Sequence, residues 1–308
     1  MSEKSEYVDS SSTWDRLVDH VGGQSWPVST LYVVATPIGN LGDLSLRAWQ
    51  TLARCDVIAA EDTRTSRALL DFWGIATPLI ASHRHNEAGA AQSIVARLAR
   101  GERVGLISDA GAPAVSDPGA RVVRAAREAG YGVVAIPGAS AVITALMASG
   151  VTSDENPAFI FAGFMPSRSG ARQKWLRRWC VMPAPVVVFE SPHRLLAAIK
   201  DLERVCGPER LLTVARELTK RFEQVVTLPL SQAAAWLGED ANRSRGEFVL
   251  IVHQDTSRAI SDDIDASAYP LLDALLETVS VRDAARIAAK VTGLPRDTLY
   301  ALALERSR

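Results

Sequence analysis

The chain has 308 residues, with 34 Lys and Arg against 35 Asp and Glu and a hydrophobic fraction of 47%. That length suits roughly two domains of ordinary size, and the apolar fraction excludes wholesale disorder. A formal net charge of -1 excludes a uniformly basic nucleic-acid coat and leaves room for a local basic patch.

Residues 1–28 are polar, lack the apolar stretch of a secretion signal and read as a disordered tail. From residue 29 a repeating alternation begins. Strands are expected over 31–36, 57–60, 79–83, 103–108 and 132–136. Helices are expected over 44–54, 65–72, 88–100, 120–129 and 141–149. Short apolar strands alternating with helices predict a parallel sheet covered on both faces, so 29–150 reads as an N-terminal α/β domain. Beyond it, strands at 159–164, 186–189, 211–215, 224–228 and 248–253 outnumber helices at 171–179, 195–205 and 231–237. That ratio predicts a second α/β domain, 151–254, with a mixed sheet; the boundary falls in the polar 152–157 stretch. Residues 255–267 hold Asp255, Asp262, Asp263 and Asp265 and read as an acidic linker. A helical unit, 268–308, closes the chain. Ser280 and Asp283 stand at capping-box spacing and Gly293 stops the helix they open, a helix-turn-helix-like pattern that equally fits a packed αα-hairpin.

Cys55, Cys180 and Cys206 are odd in number and form no C-x-x-C pair, which argues against a disulfide framework and a structural zinc site and suits a reducing cytoplasm. No apolar run approaches the ~20 residues that cross a bilayer. His83 and His85 alternate along one strand, but no Cys or third His stands at ligand spacing, so no metal is expected.

Ligands of open α/β sheets bind beyond the carboxyl ends of the strands. Three loops at that edge are rich in Gly and Pro: one beginning at Pro37, one running from Asp109 to Gly119, and one at Pro137-Gly138-Ala139-Ser140. Small side chains let backbone approach a ligand, and three such loops together predict a shared pocket. The nucleotide fingerprints G-x-G-x-x-G and G-x-x-x-x-G-K-[ST] are absent, as are H-E-x-x-H and G-x-S-x-G.

The segment from Leu31 to Asp43 resembles the opening of the ribosomal RNA small-subunit methyltransferase I family, within the tetrapyrrole-methylase fold group. Glu61-Asp62-Thr63-Arg64, Ser108 to Gly119, Pro137 to Ser140, Phe161 to Pro166, Glu190-Ser191-Pro192-His193-Arg194, Ala215 to Lys220 and Gly246-Glu247-Phe248 extend the resemblance in order. It runs from about Thr30 to the C-terminus. The resemblance implies a two-domain α/β enzyme with a helical appendage and S-adenosylmethionine in the cleft. It also implies a cytoplasmic homodimer that methylates the ribose 2′-oxygen of a cytidine in 16S rRNA. By motif position the cofactor would meet Pro37, Ile38, Gly39, Asp109, Gly111, Ala112, Pro113, Ser140 and Ala141. From the second domain it would meet Phe164, Pro166, Ala215, Gly246 and Glu247.

Such a reaction needs alignment, exclusion of water and, for a hydroxyl, a proton acceptor. Glu190, Glu217 and His193 are candidate bases, and Lys220 or Arg216 a candidate cation for developing negative charge; each also fits a structural ion pair or cap. Residues 161–222 carry 12 Lys and Arg against 5 Asp and Glu, whereas 223–267 carry 3 against 8. Arg168, Arg172, Lys174 and Arg178 surround Trp175 and Trp179, and with His193 and Arg194 are the expected RNA contacts. The two Trp, at helical spacing, are expected in a core or interface rather than stacked on bases. Two rivals remain: a tetrapyrrole methyltransferase of the same fold, and a non-catalytic ribosomal RNA-binding protein.

Overall fold

A computed structural model describes residues 10–83, 86–255 and 268–306. Described residues up to His253 form one compact unit, and those from Gln254 onward a second.

The first unit opens with α1 (Ser10–Gly22), followed by β1 (Thr30–Val34), α2 (Leu46–Arg54), β2 (Val57–Ala60), α3 (Thr63–Phe72) and β3 (Leu79–Ala81). Then come α4 (Glu87–Ala99), β4 (Arg103–Ile107), α5 (Ala120–Glu128), β5 (Gly132–Ile136) and α6 (Ala141–Ser149). The five strands form a wholly parallel sheet in the order β3-β2-β4-β1-β5. β2 is buried along its whole length, and cores lie on both faces of the sheet, as helices on either side require.

The tail differs from expectation. Val18 in α1 accepts a hydrogen bond from Gln50 Nε2 at 2.7 Å, and Arg54 stacks over Trp26 at 5.1 Å. Gln50 is buried and needs a partner, so α1 is held against α2, with Val18 and Val21 half-buried while Trp14 and Leu17 stay exposed. Residues 1–9 lie outside the described residues.

The second sheet uses β6 (Ile160–Phe164), β7 (Val186–Glu190), β8 (Leu211–Arg216), β9 (Gln224–Pro229) and β10 (Phe248–Val252), with α7 (Ser169–Trp179), α8 (Leu195–Cys206) and α9 (Leu230–Gly238). Its order is β6-β7-β10-β8-β9, parallel only between β6 and β7, so the sheet is mixed as expected. The two sheets share a core within the first unit. Ile38, Val142, Ala145 and Leu146 pack with Val187, Ala215, Val249 and Ile251. The helix α6 is apolar along most of its length and buries Val142, Ala145 and Leu146 in that core.

The second unit holds α10 (Ala268–Leu276), α11 (Val281–Thr292) and α12 (Arg296–Arg306) around an Ala- and Leu-rich core. Ser280 caps α11 by accepting the Asp283 N–H, and Gly293 ends it at φ 75°. Most of the acidic stretch, 256–267, lies outside the described residues.

Candidate active site

A cavity of about 380 Å³ opens at the carboxyl ends of β1, β4 and β5, within the roughly 300–1,000 Å³ typical of small-molecule sites. Ile38, Gly111, Ala112, Ser140 and Ala141 line it from the first sheet's loops. Phe164, Glu190 and Glu247 line it from the second sheet. All eight were expected at the site. The loops after β1 and β4 are joined directly: Thr36 N–H donates to Gly111 O at 2.9 Å and Gly111 N–H donates back to Thr36 O at 3.0 Å. The β4 loop reaches this shape through left-handed residues, Gly111 at φ 78°, Ala114 at φ 68° and Ser116 at φ 65°. Such conformations persist only where the surroundings impose them.

Several expected cofactor residues are not among those lining the cavity. Asp109 turns away to accept the Asp62 N–H at 2.9 Å. Ala215 is fully buried in the core between the sheets and has no face on the cavity. Pro166 offers its carbonyl to Arg172 at 3.2 Å. Gly39 lies against the Lys220 stem: a Cβ there would stand 2.6 Å from its Cε. Gly246 lies against the Glu217 carboxylate in the same way. Pro37, Pro113 and these two glycines are not among the lining residues.

The expected catalytic trio also divides. Lys220 Nζ bridges Glu217 at 3.0 Å and Glu247 at 2.8 Å, and the Glu217 carboxylate accepts the Glu247 N–H at 3.0 Å. Burial opposes the charge on both Glu217 and Lys220, yet hydrogen bonds override it, holding Glu217 below and Lys220 above their ordinary pKa. Neither lines the cavity; they tie the 217–220 segment to Glu247 and the β1 loop. Arg216 donates to Arg245 O at 2.8 Å and to Phe222 O at 3.2 Å, a structural role.

Glu190 is different. Its side chain is fully buried, and Oε1 takes the Ser191 N–H at 2.7 Å and Arg194 Nη2 at 2.6 Å. Its Oε2 is buried with no hydrogen-bond partner among the described residues, and the side chain is closed to solvent although the residue itself borders the cavity.

Sequence reasoning missed Phe189, Leu218, Phe248 and Val249, which also line the cavity. As apolar residues in or beside strands they look like core. Leu218 and Phe248 do fall inside the Ala215–Lys220 and Gly246–Phe248 segments, and Phe248 pairs with Glu190 across β10 and β7.

Among the expected RNA contacts, Arg168, Lys174, Arg178 and His193 are exposed. Arg194 is partly committed to Glu190 and Ser191. Arg172 is overturned as an RNA contact: it is buried and ion-paired with Asp201 at 2.6 Å. It sits on the same helix face as Trp175, Leu176 and Trp179, the face turned to the core. The two Trp pack partly buried against that core, as expected. His85 lies outside the described residues, and among the described residues no group of three potential metal ligands occurs.

Residues 30–234 match the family described as tetrapyrrole (corrin/porphyrin) methylases, and residues 262–307 match the RsmI C-terminal HTH domain. A ribosomal RNA small subunit methyltransferase I from Pseudomonas aeruginosa is 44% identical over 277 residues, covering 90% of this chain and 97% of that relative. One from Haemophilus influenzae is 44% identical over 274 residues, covering 89% and 96%. Among solved structures, a uroporphyrin-III-C-methyltransferase from Thermus thermophilus matches with a TM-score of 0.53 at 19% identity, covering 76% of this chain and 98% of that one. A structure of uroporphyrin-III C-methyltransferase from the same organism, complexed with S-adenosylhomocysteine, matches with a TM-score of 0.51 at 18% identity, covering 75% and 99%. These structural likenesses establish a shared fold.

Proposed function

The chain belongs to the ribosomal RNA small subunit methyltransferase I family, and on that premise we propose that it transfers a methyl group from S-adenosylmethionine to RNA of the small ribosomal subunit. The observation that carries this reading is the cavity built from the loops after β1, β4 and β5 and closed by Phe164, Glu190 and Glu247. The acceptor atom we assign is the ribose 2′-oxygen of a cytidine in 16S rRNA.

The residues present suit the donor. Ile38, Gly111, Ala112, Ser140 and Ala141 present small or apolar groups and accessible backbone, and Phe164 and Glu247 face them. When bound, S-adenosylmethionine supplies a methyl group on a cationic sulfur that is already a good leaving group. The remaining work falls to the chain. Leu218, Phe248 and Val249 exclude water from the wall, which strengthens every electrostatic contact inside. The Lys220 bridge fixes Glu247, and the paired Thr36 and Gly111 backbones fix the two first-sheet loops. Held loops bring two reactants close without an ordering cost at the moment of reaction.

For the acceptor, exposed Arg168, Lys174 and Arg178 with His193 offer positive charge to phosphates. Replacing Lys174 and Arg178 with Gln together is expected to weaken binding to ribosomal RNA and to lower the slope of log affinity against log salt by about 2. An unchanged slope in filter binding would remove α7 from the interface. The exposed Ile143 and Met147 on α6 support a homodimer, checked by sedimentation. No described helix is long and apolar enough to cross a membrane; a ribosomal substrate supports a cytoplasmic location.

The deciding experiment is labelled methyl transfer to unmodified small subunits, with the modified nucleotide mapped and a tetrapyrrole offered in parallel. Label on a cytidine 2′-oxygen is expected. Label on the tetrapyrrole alone, or RNA binding without transfer, would reverse the assignment.

A further inference from the structure

The loop that follows β4 gives the cavity Ala110, Gly111, Ala112, Val115 and Asp117, more of its lining than any other stretch of chain. Its shape is strained. Ala114 and Ser116 are left-handed at φ 68° and 65°, and Gly119 closes the loop at φ 131°. Such a loop keeps its shape only where its ends are held. The near end is held by the paired Thr36 and Gly111 backbones and by the Asp62 N–H given to Asp109. Within the loop, Val115 N–H reaches Ala112 O at 3.3 Å and Ala114 N–H reaches Pro118 O at 3.2 Å, bonds that fold the loop without anchoring it.

The far end is anchored by Glu87. Its Oε1 accepts the Gly119 N–H at 2.9 Å and the Arg121 N–H at 3.2 Å. Gly119 is the N-cap of α5, a position where Ser, Thr, Asp or Asn ordinarily satisfies the first amides from its own side chain. No such residue fits here, because φ 131° favours Gly and a Cβ would stand 3.2 Å from Leu106 Cδ2 and 3.4 Å from Ala114 N. The loop's shape excludes a local cap, so the acceptor comes from the first residue of α4, 32 positions back. Helix α4 is itself packed in place, with Ala91, Ile94 and Leu98 against Val122 and Ala126 of α5. A carboxylate at a helix N-terminus is also favoured by the helix dipole. We infer that Glu87 is a positioning residue for methyl transfer: it holds the 109–119 loop in the shape that receives the donor. The inference rests on the reading of the cavity as the S-adenosylmethionine site. Without the anchor the loop samples other shapes, and donor affinity falls with the fraction of molecules left in the competent one. Saturating donor selects that shape again, so the chemical step is spared.

Glu87→Ala is expected to weaken S-adenosylmethionine binding by about tenfold in calorimetry, inside the roughly two- to thirtyfold that a lost cap implies. KM for the donor is expected to rise in step, while kcat at saturating donor stays within about twofold of wild type. Glu87→Gln keeps an acceptor oxygen and is expected to recover most of the affinity. Ala126→Gly weakens the same helix about two turns further on. It is expected to lower the melting temperature comparably and to leave donor affinity unchanged, which separates loop positioning from helix stability. Amide exchange needs neither donor nor turnover: in Glu87→Ala the 112–121 segment is expected to exchange faster than in wild type, and S-adenosylhomocysteine to slow it again. The assignment is overturned by unchanged donor affinity or unchanged exchange in Glu87→Ala, or by a fall in kcat with affinity intact. It is equally overturned by equal losses in Glu87→Gln and Glu87→Ala, or by an Ala126→Gly variant that loses as much affinity. A wild-type protein that binds no S-adenosylmethionine would instead sink the proposed function, and the exchange comparison would still show whether Glu87 anchors the loop.

Discussion

Arg172→Ala is expected to lower the unfolding free energy of the first unit by about 3–5 kcal/mol, the cost of leaving one member of a buried ion pair alone. The Arg172 guanidinium meets Asp201 at 2.6 Å, and both side chains are less than a tenth exposed. It also donates to Pro166 O and Ser167 O, each at 3.2 Å, so it joins the end of β6 to α7 and α8. Asp201 cannot be rehydrated cheaply, because Ser169 and Gln173 hold its other oxygen at 2.9 and 2.8 Å. The double variant Arg172→Met, Asp201→Leu should recover most of the loss, since no charge is then stranded. Urea titration measures both. A loss under about 1 kcal/mol for Arg172→Ala would show a pair no stronger than a surface one.

The same pair sets a pH dependence. Burial acts to raise the Asp201 pKa, but hydrogen bonds from Gln173, Ser169 and Arg172 and the Arg172 charge outweigh it and hold the carboxyl below its ordinary value. A carboxyl depressed in the folded state contributes stability that is fully present above its unfolded pKa, about 3.9, and is lost as pH falls through the folded value. Wild type should therefore lose stability more steeply than Arg172→Ala on acidification below about pH 5. Parallel curves would mean that the shift does not come from this pair.

Gly246→Ala is expected to cost about 2–4 kcal/mol through backbone strain and lost charged hydrogen bonds, and to weaken S-adenosylmethionine binding by about tenfold or more. Gly246 has φ 96°, and an added Cβ would lie 2.5 Å from Glu217 Cδ and 2.6 Å from its Cγ. The carboxylate has nowhere near to go, because Glu217 and Thr219 are themselves in left-handed conformations, φ 52° and 67°. Expelling it releases the Glu247 amide and Lys220, whose stem packs on Gly39. The disturbance thus reaches a residue that lines the cavity and a loop beside it. Adding Glu217→Ala to Gly246→Ala removes the clash and should restore part of the stability, a non-additivity that calorimetry resolves. Independent, additive effects would show that the carboxylate does not occupy that space.

Sequence periodicity and loop composition placed the pocket correctly at one sheet edge but distributed the site residues imperfectly. Ile38, Gly111, Ala112, Ser140, Ala141, Phe164, Glu190 and Glu247 were named from the motifs that carry the family resemblance; composition by itself marked only the Gly- and Pro-rich loops among them. Phe189, Leu218, Phe248 and Val249 were not, since an apolar residue facing a cavity carries the same signal as one facing a core. Arg172 was misread because its charge masked its position. On α7 it shares the face of Trp175, Leu176 and Trp179, and burial of a charge on that face requires a partner, Asp201, that lies on α8.

The sequence by itself determined the element order, the parallel character of the first sheet and the mixed character of the second, and the cap and stop of α11. Each depends on local periodicity, turn chemistry or capping, which neighbouring residues carry. Tertiary structure alone decided that α1 is ordered, that both sheets belong to one unit, that Asp109 faces Asp62 rather than the cavity, and that Glu217 and Lys220 brace the site rather than line it. It also decided which carboxylate keeps an unused oxygen. Those outcomes turn on partners distant along the chain, and the balance of burial against hydrogen bonding at a charged group exists only once those partners have met.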